Sequence, residues 1–91
     1  MNEAEIRAAV LHTLHGIAPE VPTDQIHPHE DIRDQLDLDS MDVVNLLVAL
    51  EEKLGVRIAA SEYTKLATLD DLVAYLAAAQ HASAQGPETR Q

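Results

Sequence analysis

The stretch "LDLDSMDVVNLLVALEEKLGVRI", residues 36–58, decides the fold of this chain. Its apolar residues recur at intervals of three and four, which is the period of an α-helix rather than of a strand. Asp39 stands where an N-cap belongs, and Gly55 follows as a C-terminal stop. The pattern therefore predicts a helix over residues 40–54 that begins at a serine, Ser40, set among acids.

This helix has two apolar faces, although a small bundle needs only one buried face from each helix. At about 100° per residue, one face is predicted to form the core; it consists of Val43, Leu46, Leu47, Leu50 and Leu54. The opposite face carries an apolar strip with a polar border, made of Met41, Val44 and Val48 beside Asn45, Glu51 and Glu52. An exposed apolar strip rimmed by charge is typical of a protein-docking surface. The alternative is that Val44 and Val48 pack against the preceding loop and belong to the core.

The rest of the chain supplies three further predicted helices. Residues 3–16 form the first, ended by Gly16 and Pro19, and a long loop over 18–38 follows. Residues 61–66 form one short turn of helix, and residues 69–80 form the last helix, starting at Thr68. We therefore expect an all-α, small four-helix bundle with three long helices and a short third one. Residues 1–80 form the domain, and the polar tail 81–91 is predicted to be disordered.

The composition of the chain excludes several kinds of functional site and partner. The 91 residues contain no cysteine and carry a formal net charge of −10. The absence of cysteine excludes disulfides, thiolate zinc sites and a cysteine nucleophile. The charge argues against nucleic acid and anionic membranes as partners and favours basic protein surfaces, although acidity can also serve solubility alone. The N-terminus does not read as a secretory signal, and no apolar stretch would span a bilayer, so we expect a cytoplasmic protein.

Ser40 admits four interpretations. A catalytic serine is disfavoured, because no G-x-S-x-G elbow surrounds it and the nearby carboxylates oppose an oxyanion. A calcium loop counted from Asp37 fails at Met41, Asp42 and Val48. Ser is a good N-cap, but Asp39 already supplies one. The fourth interpretation is a modification site, because an anion attached at a helix N-terminus lies near the positive end of the helix dipole. The surrounding acids partly oppose such an anion, so the dipole alone does not decide between the interpretations.

The positions of the histidines give little support for a metal site. His12 and His15 lie three residues apart on the first helix, and His27 and His29 flank Pro28. Neither pair has a third ligand in the sequence, so no metal site is predicted.

The stretch quoted above also resembles the acyl carrier protein family, whose signature is Asp-Ser-Leu at the start of the second helix. The similarity covers roughly residues 3–80 and includes "DSM", the acidic helix that follows, and "TLDDLVAYL" as the fourth helix. The resemblance implies that Ser40 receives 4′-phosphopantetheine from coenzyme A, installed by a separate phosphopantetheinyl transferase. The thiol of that arm holds an acyl group as a thioester, so the chain is a carrier and not an enzyme.

The resemblance also assigns residue roles. Asp39 and Ser40 match the signature pair, and Met41 replaces the usual leucine. The positions implied in partner recognition are Asp39, Met41, Asp42, Val44, Asn45, Val48, Glu51 and Glu52. Three departures, at Asn45, Lys53 and Ala59-Ala60, make this face less acidic than in typical fatty-acid carriers and point to a specialised member.

We therefore expect a monomeric, free-standing acyl carrier that serves fatty-acid, polyketide or related synthesis. Its partners are the transferase and the acyl-loading, condensing or acyl-transfer enzymes, which dock through basic patches. The competing hypothesis is an acidic helical interaction module without a prosthetic group. The cargo and the pathway are not encoded in any motif of the sequence.

Overall fold

The computed structural model describes residues 2–85, and side chains through residue 81. In that part of the chain there are four α-helices: α1 at Glu3–Ile17, α2 at Ile32–Leu36, α3 at Ser40–Leu54 and α4 at Leu69–Gln85. Single 3₁₀ turns lie at Thr23–Gln25 and Ala60–Glu62. α1 packs against both α3 and α4. The predicted all-α bundle is confirmed.

The core is aliphatic, as a chain without Phe or Trp requires. The predicted inner face of α3 is buried in full, and Ile6, Val10 and Leu14 of α1 join it. Leu72 and Leu76 of α4 close the core from the other side. Within the described side chains no polar or charged residue is buried. Burial of apolar surface therefore holds the bundle together, and the polar groups act at the ends of its helices.

The connection between α1 and α3 differs from the predicted loop, because it contains the short helix α2. Ile32 and Leu36 are four residues apart and both buried, so one face of α2 is pinned to the core. Asp31 caps its start, since its side chain accepts a hydrogen bond from the Arg33 N–H at 2.8 Å. Asp37 ends it in the left-handed region, with φ of 55°. This connection is therefore ordered structure that leads directly into α3.

The short third helix predicted over 61–66 is reduced to the 3₁₀ turn Ala60–Glu62. No side chain caps this turn, and a single turn without a cap does not propagate into an α-helix. An isolated bridge between Asp31 and Thr68 ties the neighbouring segments together. The short helix of the bundle is therefore α2, which comes before α3 in the chain and not after it.

The last helix is longer than predicted. α4 ends at Gln85, whereas the sequence pattern placed its end at residue 80 and a disordered tail over 81–91. The alanine-rich run from Ala77 onward has high helix propensity, which explains the extension through 81–85. The Gln80 side chain also donates to the Leu54 carbonyl at 3.2 Å and joins α4 to the end of α3. The remainder of the predicted tail, 86–91, lies outside the described residues.

Candidate functional site

Ser40 is the first residue of α3, and its exposed hydroxyl makes no hydrogen bond within the described residues. Capping is done by its neighbours. Asp39 accepts from the Asp42 N–H at 2.9 Å, and Asp42 accepts from the Asp39 N–H at 3.3 Å. This reciprocal capping box satisfies two helix-end donors without using Ser40. The hydroxyl therefore stays available to an external group at the positive end of the helix.

The acids around Ser40 have local structural roles that the sequence analysis only partly anticipated. Asp37 adopts the left-handed conformation that ends α2, while Asp39 and Asp42 form the capping box of α3. Asp and Asn tolerate the left-handed region better than other side chains that carry a Cβ. The acidic cluster thus fixes a tight turn between α2 and α3 that leads directly to Ser40 at the start of α3.

The apolar strip of α3 is exposed, as predicted. Met41 is 63% exposed and Val48 is 40% exposed, while Val44 is half-buried. The alternative, that Val44 and Val48 both belong to the core, does not hold for Val48. Asn45 and Glu52 are also exposed. The structure therefore places an accessible strip along α3 that begins at the residue after Ser40.

Glu51 differs from the other acids of this face. Its carboxylate accepts a hydrogen bond from the backbone N–H of Ile58 at 2.7 Å. The bond fastens the segment after Gly55 to the end of α3, so Glu51 has a structural role that the sequence did not reveal. Substitution of Glu51 would consequently disturb the fold as well as any docking, and Glu52 is the cleaner probe of surface charge.

A cleft of about 210 Å³ opens beside Ser40. Three segments form it: α2 with the turn that follows, the first turns of α3, and the chain after the 3₁₀ turn at Ala60–Glu62. Its lining residues are Asp39 and Ser40 together with Arg33, Leu38, Val43, Val44, Tyr63 and Thr64. The sequence analysis did not assign Arg33, Tyr63 or Thr64 to the site. The one available signal was that Arg33 is the only base among six acids between Glu30 and Asp42.

A larger groove of about 610 Å³ lies between α1 and α3 and does not reach Ser40. Asn45 and Glu52 lie along it with His12 and Lys53. The described residues contain no group of three or more side chains suited to bind a metal. His29 instead lies 2.8 Å from Asp70, which also pairs with Arg7 at 2.9 Å. That contact ties the α1–α2 connection to the start of α4.

Arg33 and Asp31 form a bidentate pair at the edge of the cleft. Nε of Arg33 donates at 3.0 Å and Nη2 at 2.7 Å to the two carboxylate oxygens. These side-chain hydrogen bonds hold the pKa of Asp31 below its usual value of 3.8. The ionised pair therefore stabilises the folded chain above that value, and the stabilisation is lost as the pH falls through the lower pKa of the folded state.

This linkage gives a testable stability difference. We expect Asp31→Asn, which keeps a good N-cap, to lower the free energy of unfolding at pH 7 by about 0.5–1 kcal/mol. The difference should shrink as the pH falls below 3.8 and vanish only below the lowered pKa of Asp31 in the folded state, because the wild-type carboxyl is then neutral as well. Urea unfolding at pH 7 and at a pH below the lowered pKa measures it, and exposed Asp24→Asn is the matched control. An equal loss from Asp31→Asn at both pH values would show that charge is not the cause.

A family model described as "Phosphopantetheine attachment site" matches residues 8–76 of the chain. The acyl carrier protein of Acidothermus cellulolyticus is 37% identical over 77 residues, which cover 85% of this chain and 90% of that protein. The chain belongs to the acyl carrier protein family. The meromycolate extension acyl carrier protein of Mycobacterium tuberculosis is also similar to this carrier, with 33% identity over 84 residues that cover 92% of the chain and 67% of that protein.

The fold agrees with this assignment. The solved structure of the acyl carrier protein from Enterococcus faecalis matches with a TM-score of 0.76 and 24% identity, covering 87% of this chain and 99% of that one. At that identity the likeness bears on the fold alone. The described helices include none long and apolar enough to cross a membrane.

Family membership establishes what the chain is chemically. It is a carrier protein rather than an enzyme, and its prosthetic group is 4′-phosphopantetheine. A carrier of this kind interacts with acyl-handling enzymes and with the transferase that modifies it. The residues present fit such a group, because the start of α3 offers an exposed, unengaged hydroxyl next to a cleft.

Proposed function

We propose that Ser40 is the attachment point of the 4′-phosphopantetheine arm. The observation that carries the proposal is that Asp39 and Asp42 cap the start of α3, while the exposed hydroxyl of Ser40 makes no hydrogen bond within the described residues. Bound there, the arm supplies the thiol for a thioester, which a chain without cysteine lacks. The protein's own part is to hold that oxygen at the helix start, beside a cleft and an exposed strip.

The biological role we propose is delivery of acyl thioesters to cytoplasmic enzymes of fatty-acid, polyketide or related synthesis, by a monomer whose carrier domain extends to the end of α4 at Gln85. The acidic surface and the absence of a membrane-spanning helix among the described residues support the setting. A monomer would leave the whole strip along α3 accessible to successive enzymes.

Partner recognition is proposed for the residues around and below Ser40: Asp39, Met41, Asp42, Val44, Asn45, Val48, Glu51 and Glu52. Support comes from the exposure of Met41 and Val48, because apolar side chains in water gain free energy when a partner covers them. The acids beside them would attract a basic patch on the partner and set its orientation.

The attachment is tested by incubating the purified chain with coenzyme A and a broad-specificity phosphopantetheinyl transferase. We expect the intact mass to rise by one 4′-phosphopantetheine group, and fragmentation to place the group on Ser40. An established acyl carrier protein in the same reaction serves as the positive control. A chain that stays unmodified beside a fully modified control would instead be the interaction module without a prosthetic group.

Charge steering is tested at Glu52, which is exposed and makes no hydrogen bond or ion pair within the described residues. We expect Glu52→Lys to slow modification by the transferase by roughly threefold to tenfold at low salt, with a much smaller effect at high salt. The rate is followed by intact mass over time. Unfolding by urea should be nearly unchanged, because the exposed side chain makes no hydrogen bond or ion pair within the described residues.

The matched control is Glu20→Lys, which makes the same charge change at an exposed position in the α1–α2 connection. If the two substitutions slow the reaction equally, net charge rather than local recognition controls the encounter. An effect of Glu52→Lys that persists at high salt would argue for a short-range contact instead of steering.

A further inference from the structure

The cleft beside Ser40 mixes apolar and polar side chains. Leu38, Val43 and Val44 supply aliphatic surface, while the lining residues Tyr63 and Thr64 carry hydroxyls that make no hydrogen bond within the described part of the chain. These groups would weaken the binding of a purely hydrocarbon occupant, because covering an unpaired hydroxyl with apolar atoms costs free energy. The lining therefore indicates an occupant that carries oxygen as well as carbon.

Arg33 strengthens this indication. Its Nε and Nη2 donate to Asp31, whereas Nη1 makes no hydrogen bond within the described residues. The bidentate pair fixes the guanidinium, because two parallel bonds restrict the rotation of a long side chain. The side chain is 40% exposed, so its remaining donors are accessible to water. An occupant would displace that water and would need to replace its hydrogen bonds.

The size of the cleft limits the occupant. Its volume of about 210 Å³ is below the range of roughly 300–1,000 Å³ that is typical of pockets for drug-sized ligands. A short acyl group fits such a space, whereas a long chain would have to extend beyond it or open the bundle. Arg33, Tyr63 and Thr64 all line the cleft, so a short occupant would lie beside these three side chains.

We propose that the cleft selects short acyl groups bearing a keto or carboxylate oxygen over saturated groups of the same length, with Arg33 as the main hydrogen-bond donor. This inference rests on the proposed attachment at Ser40, since it needs the loaded arm beside the cleft. Oxygens of the arm itself share the same chemistry and are the other source of an acceptor for Arg33. The two sources differ in one respect: the oxygens of the arm are present whatever the cargo.

Two four-carbon cargoes distinguish an acceptor oxygen on the cargo from one on the arm. Acetoacetyl and butyryl groups differ by one keto oxygen, and the transferase can install each from its coenzyme A thioester. For each loaded form, the rate of thioester cleavage by exchange with excess 2-mercaptoethanol is measured by intact mass. Binding in the cleft shelters the thioester, so loss of binding appears as faster cleavage. Because the β-keto thioester is intrinsically more reactive, each variant is compared with wild type carrying the same cargo.

We expect Arg33→Gln to speed cleavage of the acetoacetyl form by about threefold to tenfold, which is the effect of one hydrogen bond of ordinary net strength. The butyryl form should change by less than about twofold, so the second cargo is an internal control for any disturbance of the fold. Arg57→Gln, at an exposed position outside the cleft, should leave both rates unchanged. Tyr63→Phe should reproduce a smaller part of the effect.

Equal acceleration of both cargoes by Arg33→Gln would overturn the proposal and assign Arg33 to the arm or to the fold. Arg33→Lys distinguishes these roles if Arg33→Gln proves unstable, because it keeps the charge and loses the planar fork. A selective effect of Arg33→Lys on the acetoacetyl form would support the proposal, and equal acceleration of both cargoes would overturn it. Failure of loading at Ser40, by contrast, would be seen as an absent mass gain and would overturn the attachment itself.

Discussion

Replacement of Ser40 by alanine is expected to abolish modification by a phosphopantetheinyl transferase altogether. Alanine has no oxygen to form the phosphodiester, so the effect is a complete loss and not a change in rate. The fold should be unaffected, because capping of α3 depends on Asp39 and Asp42 and alanine is a good helix former. We expect the free energy of unfolding to change by less than about 0.5 kcal/mol, as for other surface substitutions.

Ser61 provides the matched control for this experiment. It is an exposed serine in the 3₁₀ turn at Ala60–Glu62, with no capping box beside it. Ser61→Ala should gain the same mass as wild type, while Ser40→Ala should gain none. If Ser40→Ala still accepted one arm, the attachment point would lie elsewhere, and the free hydroxyl at the start of α3 would need another explanation. Thermal unfolding of both variants confirms that folded proteins are compared.

The course of α3 could be predicted to the residue because its signals are local and mutually consistent. Asp39 caps its start, and Gly55 ends it in the left-handed conformation, with φ of 67°. The 3.6-residue period also separated the buried face from the exposed strip correctly. Each of these signals acts within a few residues, so the sequence alone contains it.

The elements that were predicted less well depend on tertiary contacts. α2 has only five residues in a segment containing several prolines, and burial of Ile32 and Leu36 is what keeps it helical. The turn at Ala60–Glu62 lacks a cap and stays short. The capping acid Asp31 was a usable signal for α2, although a helix of this length is marginal by propensity.

The exposed hydroxyl and strip could be predicted because they lie on one helix, whereas the cleft could not. Arg33, Val43 and Tyr63 come from three segments that meet only in the folded chain. The role of Glu51 was hidden for the same reason, since its acceptor contact is with Ile58 on the following segment. Periodicity identifies which face of a helix is exposed, but not which other segments lie beside it.

The second large effect is expected at Leu47, which is fully buried on the inner face of α3. Leu47→Ala should lower the free energy of unfolding by about 2–5 kcal/mol, because it removes apolar contacts and leaves a cavity. Domains are typically stable by only about 5–15 kcal/mol, so this loss is a large share of the total. Urea unfolding monitored by circular dichroism gives the value.

The adjacent residue, Val48, tests the opposite face of the same turn. Val48→Ala should change stability by less than about 0.5 kcal/mol, since the side chain is 40% exposed. It should nevertheless slow modification by the transferase by about fivefold, which corresponds to roughly 1 kcal/mol of docking energy. The folded molecules of Leu47→Ala should be modified by the transferase at a rate close to that of wild type. The two neighbours would then separate folding from docking; if Val48→Ala lost stability and kept its transfer rate, the apolar strip would be part of the core and not a partner surface.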